Sequence, residues 1–517
     1  MEWMARGAVL AVALFTVAGC GGGGDGGGGS NSLGSGGSLG GSGGSLSSNP
    51  TYAAGQFQPS SSFANQCSST VTQNMFLRSW TNELYLWYSE VPDRDPSLSS
   101  TADYFAALKT PAITASGRSK DQFHFTYPTT EWEQLSQSGV EIGYGAEFVL
   151  IASTPPRKVV VAYSEPSTPA GNANVPRGAE VLVADGVDVV NGNSTALNAA
   201  FFPETAGETH TFQIREANNG PLRTITLTSV AVTHTPVLVS STLNASGVPV
   251  GYLLFNDHIA TAESQLVNAF TSFRTAGVQD LILDLRYNGG GYLDMAAEVG
   301  YMIAGSLTAG QTFERSAFND KYPNTNPVEG GALTPTPFHS TGQGFSVPRG
   351  TPLPTLNLNR VYVITSQNTC SASEAIINSL RGIDVEVYQI GSTTCGKPYG
   401  FYPKNNCGTT YFSIQFEGRN AKGFATYPDG FTPANSPDIA SVDLPGCSVA
   451  DDFTHALGDT NEARLQAALS FRASNNQSCP AASGFTPGST FSSKTTLSST
   501  EGEMLKVPAR TNRILRE

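Results

Sequence analysis

The chain reads Thr369-Cys370-Ser371-Ala372-Ser373-Glu374 and, twenty-six residues after Ser371, Cys395-Gly396-Lys397. A serine at a strand-to-helix turn is a candidate nucleophile. A lysine can be its base once its ammonium is stripped of water and gives up its proton. Bringing a lysine from about 10.4 to near neutrality takes about 4 kcal/mol of differential solvation, which burial can supply. The flanking elements let the two residues meet. Arg360 to Ser366 is β-branched and aromatic enough for a strand, Ile376, Ile377 and Leu380 give Ser373 to Leu380 a helical spacing, and Val385 to Ile390 reads as the next strand. A helix of about 12 residues runs about 18 Å away and a strand of about 6 residues returns about 20 Å, which brings Lys397 back toward the start of the helix that begins at Ser371. There the N–H of Ala372 sits at the positive end of the helix dipole, where a tetrahedral oxyanion could be met.

Plainer roles compete with these. Ser371 with Glu374 has the Ser-x-x-Glu spacing of a capping box, and Glu374 either caps the helix or orients the site. His258, in the loop Asn256-Asp257-His258 after the expected strand Gly251 to Phe255, is a second candidate base or a structural turn histidine.

The Ser-Ala-Ser-Glu motif, the Gly-Lys after it and the upstream Leu283-Asp284-Leu285-Arg286-Tyr287-Asn288-Gly289-Gly290-Gly291 together resemble the C-terminal processing (tail-specific) serine peptidases and their tricorn-like relatives. The resemblance runs from about Phe76 to about Pro480. It implies an α/β protein, with a crotonase/ClpP-like layered catalytic domain, a PDZ-like β domain and a small N-terminal helical domain. It implies a serine-type hydrolase that cuts protein or peptide substrates recognised through a free C-terminus, without a cofactor. By the same resemblance the second oxyanion donor comes from the Asn288 to Gly291 turn, with Gly290 favoured and Gly289 or Gly291 as alternatives; glycine suits a backbone amide that must approach a scissile carbonyl closely. One position departs from the pattern. The family carries a glutamine four residues after the lysine, where this chain has Phe401; Gln415, Tyr399 and Glu374 are candidates to orient Lys397 instead.

Along the chain, 65–135 reads as the helical domain, with Phe76, Trp80, Leu84 and Trp87 at helical intervals forming a core stripe. Strands dominate 139–235: Ala146 to Ile151, Val159 to Tyr163, Glu180 to Ala184, Thr211 to Arg215 and Thr224 to Val230. The turn Gly143-Tyr144-Gly145-Ala146 looks like that of a PDZ-type domain, whose backbone N–H groups meet a peptide carboxylate while the peptide adds as a strand; the alternative is a β-hairpin domain whose glycines serve turns alone. Alternating strands and helices over 237–480 make the catalytic domain α/β, with Leu307 to Leu356 as a Gly/Pro/Thr-rich surface excursion. The tail is 481–517, extended or disordered over Ala482 to Thr500.

Charged residues are 14% of the chain and the net charge is −13, which argues against nucleic acid as a partner. Residues 1–20 read as a signal peptide ending in Val17-Ala18-Gly19-Cys20, with Cys20 lipidated as a lipoprotein anchor in the cell envelope or, alternatively, cleaved for secretion. A Gly/Ser tether over 21–50 follows. The six remaining cysteines suit an exported protein with disulfides, and proximity favours Cys395 with Cys407 and Cys447 with Cys479. No Cys-x-x-Cys or His-Glu-x-x-His spacing points to a metal. Two other functions fit the same residues: a catalytically silent peptide-binding protein, and a hydrolase of non-peptide acyl groups.

Overall fold

A computed structural model describes residues 51–152, 155–435, 440–483, 503–504 and 513–514. The expected signal peptide, Cys20 and the Gly/Ser tether lie outside them, as does most of the tail. Among the described residues no helix is long and apolar enough to cross a membrane.

The N-terminal region holds α1 (Thr70–Leu84) and α2 (Thr101–Ala107). Phe76 and Trp80 of α1 pack with Tyr104, Phe105 and Tyr411 in one apolar cluster. A sheet follows, built from β1 (Ala146–Ala152), β2 (Lys158–Ser164), β3 (Glu180–Ala184), β4 (Thr209–Arg215) and β5 (Leu222–Thr228), all antiparallel. Its buried face joins Phe148, Val159, Val161, Phe212 and Leu227.

The third region is a layered α/β unit: β6 (Val237–Ala245), β7 (Val248–Phe255), α3 (Ala262–Thr275), β8 (Asp280–Asp284), β9 (Gly291–Tyr292), α4 (Leu293–Ala304), β10 (Arg360–Thr365), α5 (Ala372–Gly382), β11 (Glu386–Gly391), β12 (Tyr399–Gly400), β13 (Gly446–Ser448) and α6 (Ala463–Ala473). The main sheet has the order β6-β7-β8-β10-β11-β13, antiparallel between β6 and β7 and parallel elsewhere. Strand alternation divides its side chains between two layers. Leu281, Leu283, Val361 and Val363 face α3, α4 and α5, whereas Ile282, Tyr362, Ile364 and Ile390 face α6. Both faces of the sheet are covered, so its strands read as continuous apolar runs.

Two expectations need correction. The stretch from Leu307 to Leu356 is not simply a surface excursion: it contains the strand Thr312–Ala317, and Phe313, Phe338 and Leu353 enter the main core. Its apolar residues are spaced by glycine and proline, so no helical or strand period betrays them. The disulfides are Cys67–Cys407, Cys370–Cys395 and Cys447–Cys479. Cys395 therefore pairs with Cys370 and Cys407 with Cys67; sequence proximity misled because the fold closes 340 residues of chain between Cys67 and Cys407. Two short strands follow the α/β unit, β14 (Glu503–Met504) and β15 (Arg513–Ile514).

Candidate active site

β10 ends at Thr365, and the loop that follows is stitched to the end of β8. Thr369 Oγ1 donates to Leu285 O (2.8 Å), Ser366 Oγ donates to Arg286 O, and Cys370 N and Ser373 Oγ both donate to Asn288 O (3.1 Å each). This places the Ser371 loop against the Asn288-Gly-Gly-Gly turn. Ser371 itself is fully buried and adopts φ +59°, ψ −111°, a conformation that L-residues rarely hold. α5 starts at the next residue, so Ala372 N–H is the first amide of that helix.

Lys397 comes back to this place as geometry requires. Cys395 N donates to Thr369 O (3.0 Å), and the Cys370–Cys395 disulfide ties the residue before Ser371 to the residue two before Lys397. Gly396, at φ +82°, passes so close to Pro428 that a Cβ would lie 2.3 Å from its carbonyl oxygen. Only glycine fits there.

Glu374 is the hub. Its buried carboxylate accepts from Ser371 N (3.0 Å) and Lys397 N (2.8 Å) on Oε2, and from Gly396 N (2.8 Å) and Thr394 Oγ1 (2.5 Å) on Oε1. Burial pushes this carboxyl above the usual range, and the four donors pull against it. Glu374 thus does more than cap α5: it fastens the lysine segment to the serine turn.

Lys397 is fully buried, with Nζ 4.6 Å from the centre of the Phe123 ring and 4.8 Å from that of Phe401. Phe401 therefore meets the lysine as an aromatic face, a contact that favours a cation. Gln415 lies outside any strand and bonds to the Tyr402 main chain, its Oε1 accepting from Tyr402 N (3.1 Å) and its Nε2 donating to Tyr402 O (3.3 Å). Tyr399 stands edge-on to Trp87, ring centres 4.8 Å apart.

In the glycine turn, Gly290 N donates to Asn288 Oδ1 (2.9 Å), the same oxygen that faces His258 Nδ1 (3.0 Å). Asn288 Nδ2 donates to Phe255 O (2.9 Å), which sets the amide's orientation. Gly291, at φ +135°, would place a Cβ 2.3 Å from His258 O. His258 is buried and its pKa is lowered to about 4, chiefly by burial, so it is neutral at ordinary pH. It holds the glycine turn through Nδ1 and its main chain, which accepts from Tyr292 N and donates to Gly290 O.

Of the other expected residues, Gly143 ends a two-strand ladder opposite Val230, and Tyr144 is buried with its hydroxyl donating to Ala200 O (2.9 Å). Gly145 O accepts from Glu165 N (2.7 Å), and Ala146 opens β1 opposite Ser164. One group that the sequence did not announce joins the units. Arg177, just before β3, donates to Tyr287 Oη (2.7 Å) and Asp451 Oδ1 (2.8 Å), and Asp451 also accepts from the buried Arg286 (2.7 Å), which pairs with Asp284 and Glu462. Apart from the neighbours Asp284 and Arg286, these charges lie far apart along the chain, so no local spacing reveals the group.

Residues 249–400 match the model described as peptidase family S41. The chain carries a peptidase family S41 domain. The S41 domain runs from β7 to β12 and contains Gly290, Ser371, Glu374 and Lys397. The chain is similar to the carboxyl-terminal-processing protease of Picosynechococcus sp., 24% identical over 265 residues, and to that of Synechocystis sp., 22% identical over 267 residues. Each match covers 51% of this chain, and 56% and 55% of the respective relatives, so the chain spans about half the length of the curated relatives it matches. A solved Bacteroides fragilis protein assigned to the S41 proteases superposes with a TM-score of 0.59 at 22% identity, covering 77% of this chain and 97% of its own. The mixed α/β fold around the S41 domain is thus like that of this solved protein.

Proposed function

We propose that this chain is a serine endopeptidase of the C-terminal processing type, with Ser371 as nucleophile and Lys397 as general base. The observation that carries the reading is the pair of main-chain bonds from Ser371 and Lys397 to one oxygen of Glu374, closed by the Cys370–Cys395 disulfide. It joins a serine in a strained turn to a fully buried lysine; burial favours the neutral amine that a base must be, against the pull of the two rings toward the cation.

In this mechanism Lys397 Nζ takes the proton of Ser371 Oγ as that oxygen attacks a peptide carbonyl. The tetrahedral oxyanion is met by Ala372 N–H and by an amide of the Asn288 to Gly291 turn. Gly290 N–H serves once it turns from Asn288 Oδ1, where it lies in this geometry. Lys397 returns the proton to the leaving amine, and water then resolves the acyl-enzyme on Ser371. Phe401 and Phe123 lay their rings against the amine, and Glu374 holds its main chain.

The β1–β5 sheet acts as the PDZ-like unit, taking an extended peptide at the outer edge of β1 beside the turn Gly143 to Ala146. The substrates are exported proteins with an accessible C-terminus, and Cys20 anchors the chain by lipid in the cell envelope. Three disulfides support an oxidising compartment.

The test compares the parent with Ser371→Ala and Lys397→Ala on an unfolded protein with a free apolar C-terminus, with unfolding curves to check integrity. Loss of cleavage in both folded variants is expected. Full activity in Ser371→Ala sinks the reading. A parent that neither cleaves nor reacts with an active-site serine probe is a peptide-binding protein on the same fold.

A further inference from the structure

β14 and β15 lie on two strand edges where a peptide would add. β14 pairs antiparallel with β1, Glu503 opposite Leu150 and Met504 opposite Val149. The other edge of β1 is taken by β2, so β14 fills the edge that is left. β15 pairs parallel with β9, Arg513 opposite Gly291 and Ile514 opposite Tyr292. Its Cα atoms come within 8 Å of those of β12, which begins two residues after Lys397. One strand thus covers the edge of the β1–β5 sheet and the other the glycine turn of the active site.

Met504 links the two regions. Its side chain is 7% exposed and packs with Val149, Val160, Tyr163 and Tyr287, and Tyr287 immediately precedes Asn288. Its N–H donates to Asn368 Oδ1 (2.9 Å), three residues before Ser371. A single residue of the tail therefore touches the β1 edge, the residue before the oxyanion turn and the loop that carries the nucleophile. Two-residue strands bring few hydrogen bonds, but tethering gives them an effective concentration in the range of mM, enough to compete with a free peptide.

We propose that β14 and β15 are an intramolecular occupant of the peptide path, which an incoming substrate must displace. The groove beside Val149 then selects peptides with an unbranched apolar side chain where Met504 sits. That the occupant restrains catalysis rests on the peptidase reading above; that it fills the two edges does not.

The experiment uses the full chain, its Met504→Asp form, which puts a charge into the apolar pocket, and its Ile514→Pro form, which puts a strand-disfavouring residue into β15 while leaving that pocket intact. Hydrogen exchange on the parent should show protected amides at 503–504 and 513–514. Both variants should bind a fluorescein-labelled peptide of residues 500–517 about tenfold more tightly than the parent, and should cleave an unfolded reporter with a KM lowered about tenfold at unchanged kcat. Unprotected tail amides in the parent, or equal peptide affinity in all three proteins, overturns the proposal. Protected amides and tighter peptide binding without cleavage in any form leave the occupant standing and remove the peptidase reading instead.

Discussion

The main-chain N–H groups of Ser371 and Lys397 converge on one atom, Glu374 Oε2, at 3.0 and 2.8 Å. On the function proposed above, one carboxylate thereby positions the nucleophile and its base through their backbones. Glu374 is a positioning residue. Replacing it by glutamine turns an amide N–H2 toward donors that need an acceptor, at about 1–3 kcal/mol for each group left unmet. Glu374→Gln should lose about 3 kcal/mol in denaturant unfolding and about a hundredfold in kcat, since a displacement of about 1 Å costs that much. KM should stay within about twofold. A variant that is less stable but keeps its kcat would make the carboxylate purely structural.

The Cys370–Cys395 disulfide spans 25 residues and ties the same two segments. Removing it in Cys370→Ala/Cys395→Ala should cost about 3 kcal/mol, as for loops of similar length. Ser371 should also react more slowly with an active-site serine probe at a temperature where the variant is fully folded. Unchanged labelling would show that Glu374 alone keeps the segments together.

Ser371 holds its positive φ at a cost of about 1–3 kcal/mol that the surrounding bonds absorb. Glycine at this position relieves the strain and alanine does not. Ser371→Gly should therefore unfold at higher denaturant than Ser371→Ala, by about 1 kcal/mol, with both inactive. The opposite order would mean that the turn is not strained in solution.

Away from the site, buried Glu298 lies beside Glu263, whose carboxylate accepts from the N–H groups of Gln343, Gly344, Ser346 and Val347. Burial, then the neighbouring Glu263, pushes Glu298 up to about 9. The folded chain keeps this proton after the unfolded chain has lost it, so the stability contributed by Glu298 is complete below about pH 4.5. It falls as pH rises toward about 9, by at most about 1.4 kcal/mol per pH unit. Glu298→Gln should flatten this fall in unfolding measurements between pH 5 and 9. Parallel curves for parent and variant would place the proton elsewhere.

Local pattern carried much of the molecule. Apolar runs bounded by turn residues placed the strands and helices of the α/β unit, because both faces of its sheet are buried and each residue must then be apolar. The order Gly-Gly-Gly, Ser371, Lys397 was legible through its resemblance to the processing peptidases; the pattern itself marks only the strand-to-helix and strand-to-loop junctions where these residues sit. What decides how these residues are held was not legible. That Cys370 pairs with Cys395, that Glu374 collects donors from both segments, that Phe401 presents a ring to Lys397, and that Gly290 N–H turns to Asn288 all depend on contacts between parts of the chain that no period connects. The same holds for Arg177 against Asp451, 274 residues away, and for the tail strands on β1 and β9. Burial pattern is a property of each segment by itself; hydrogen-bond partners, disulfides and charge pairs are chosen only when packing has brought distant segments together and withdrawn them from water.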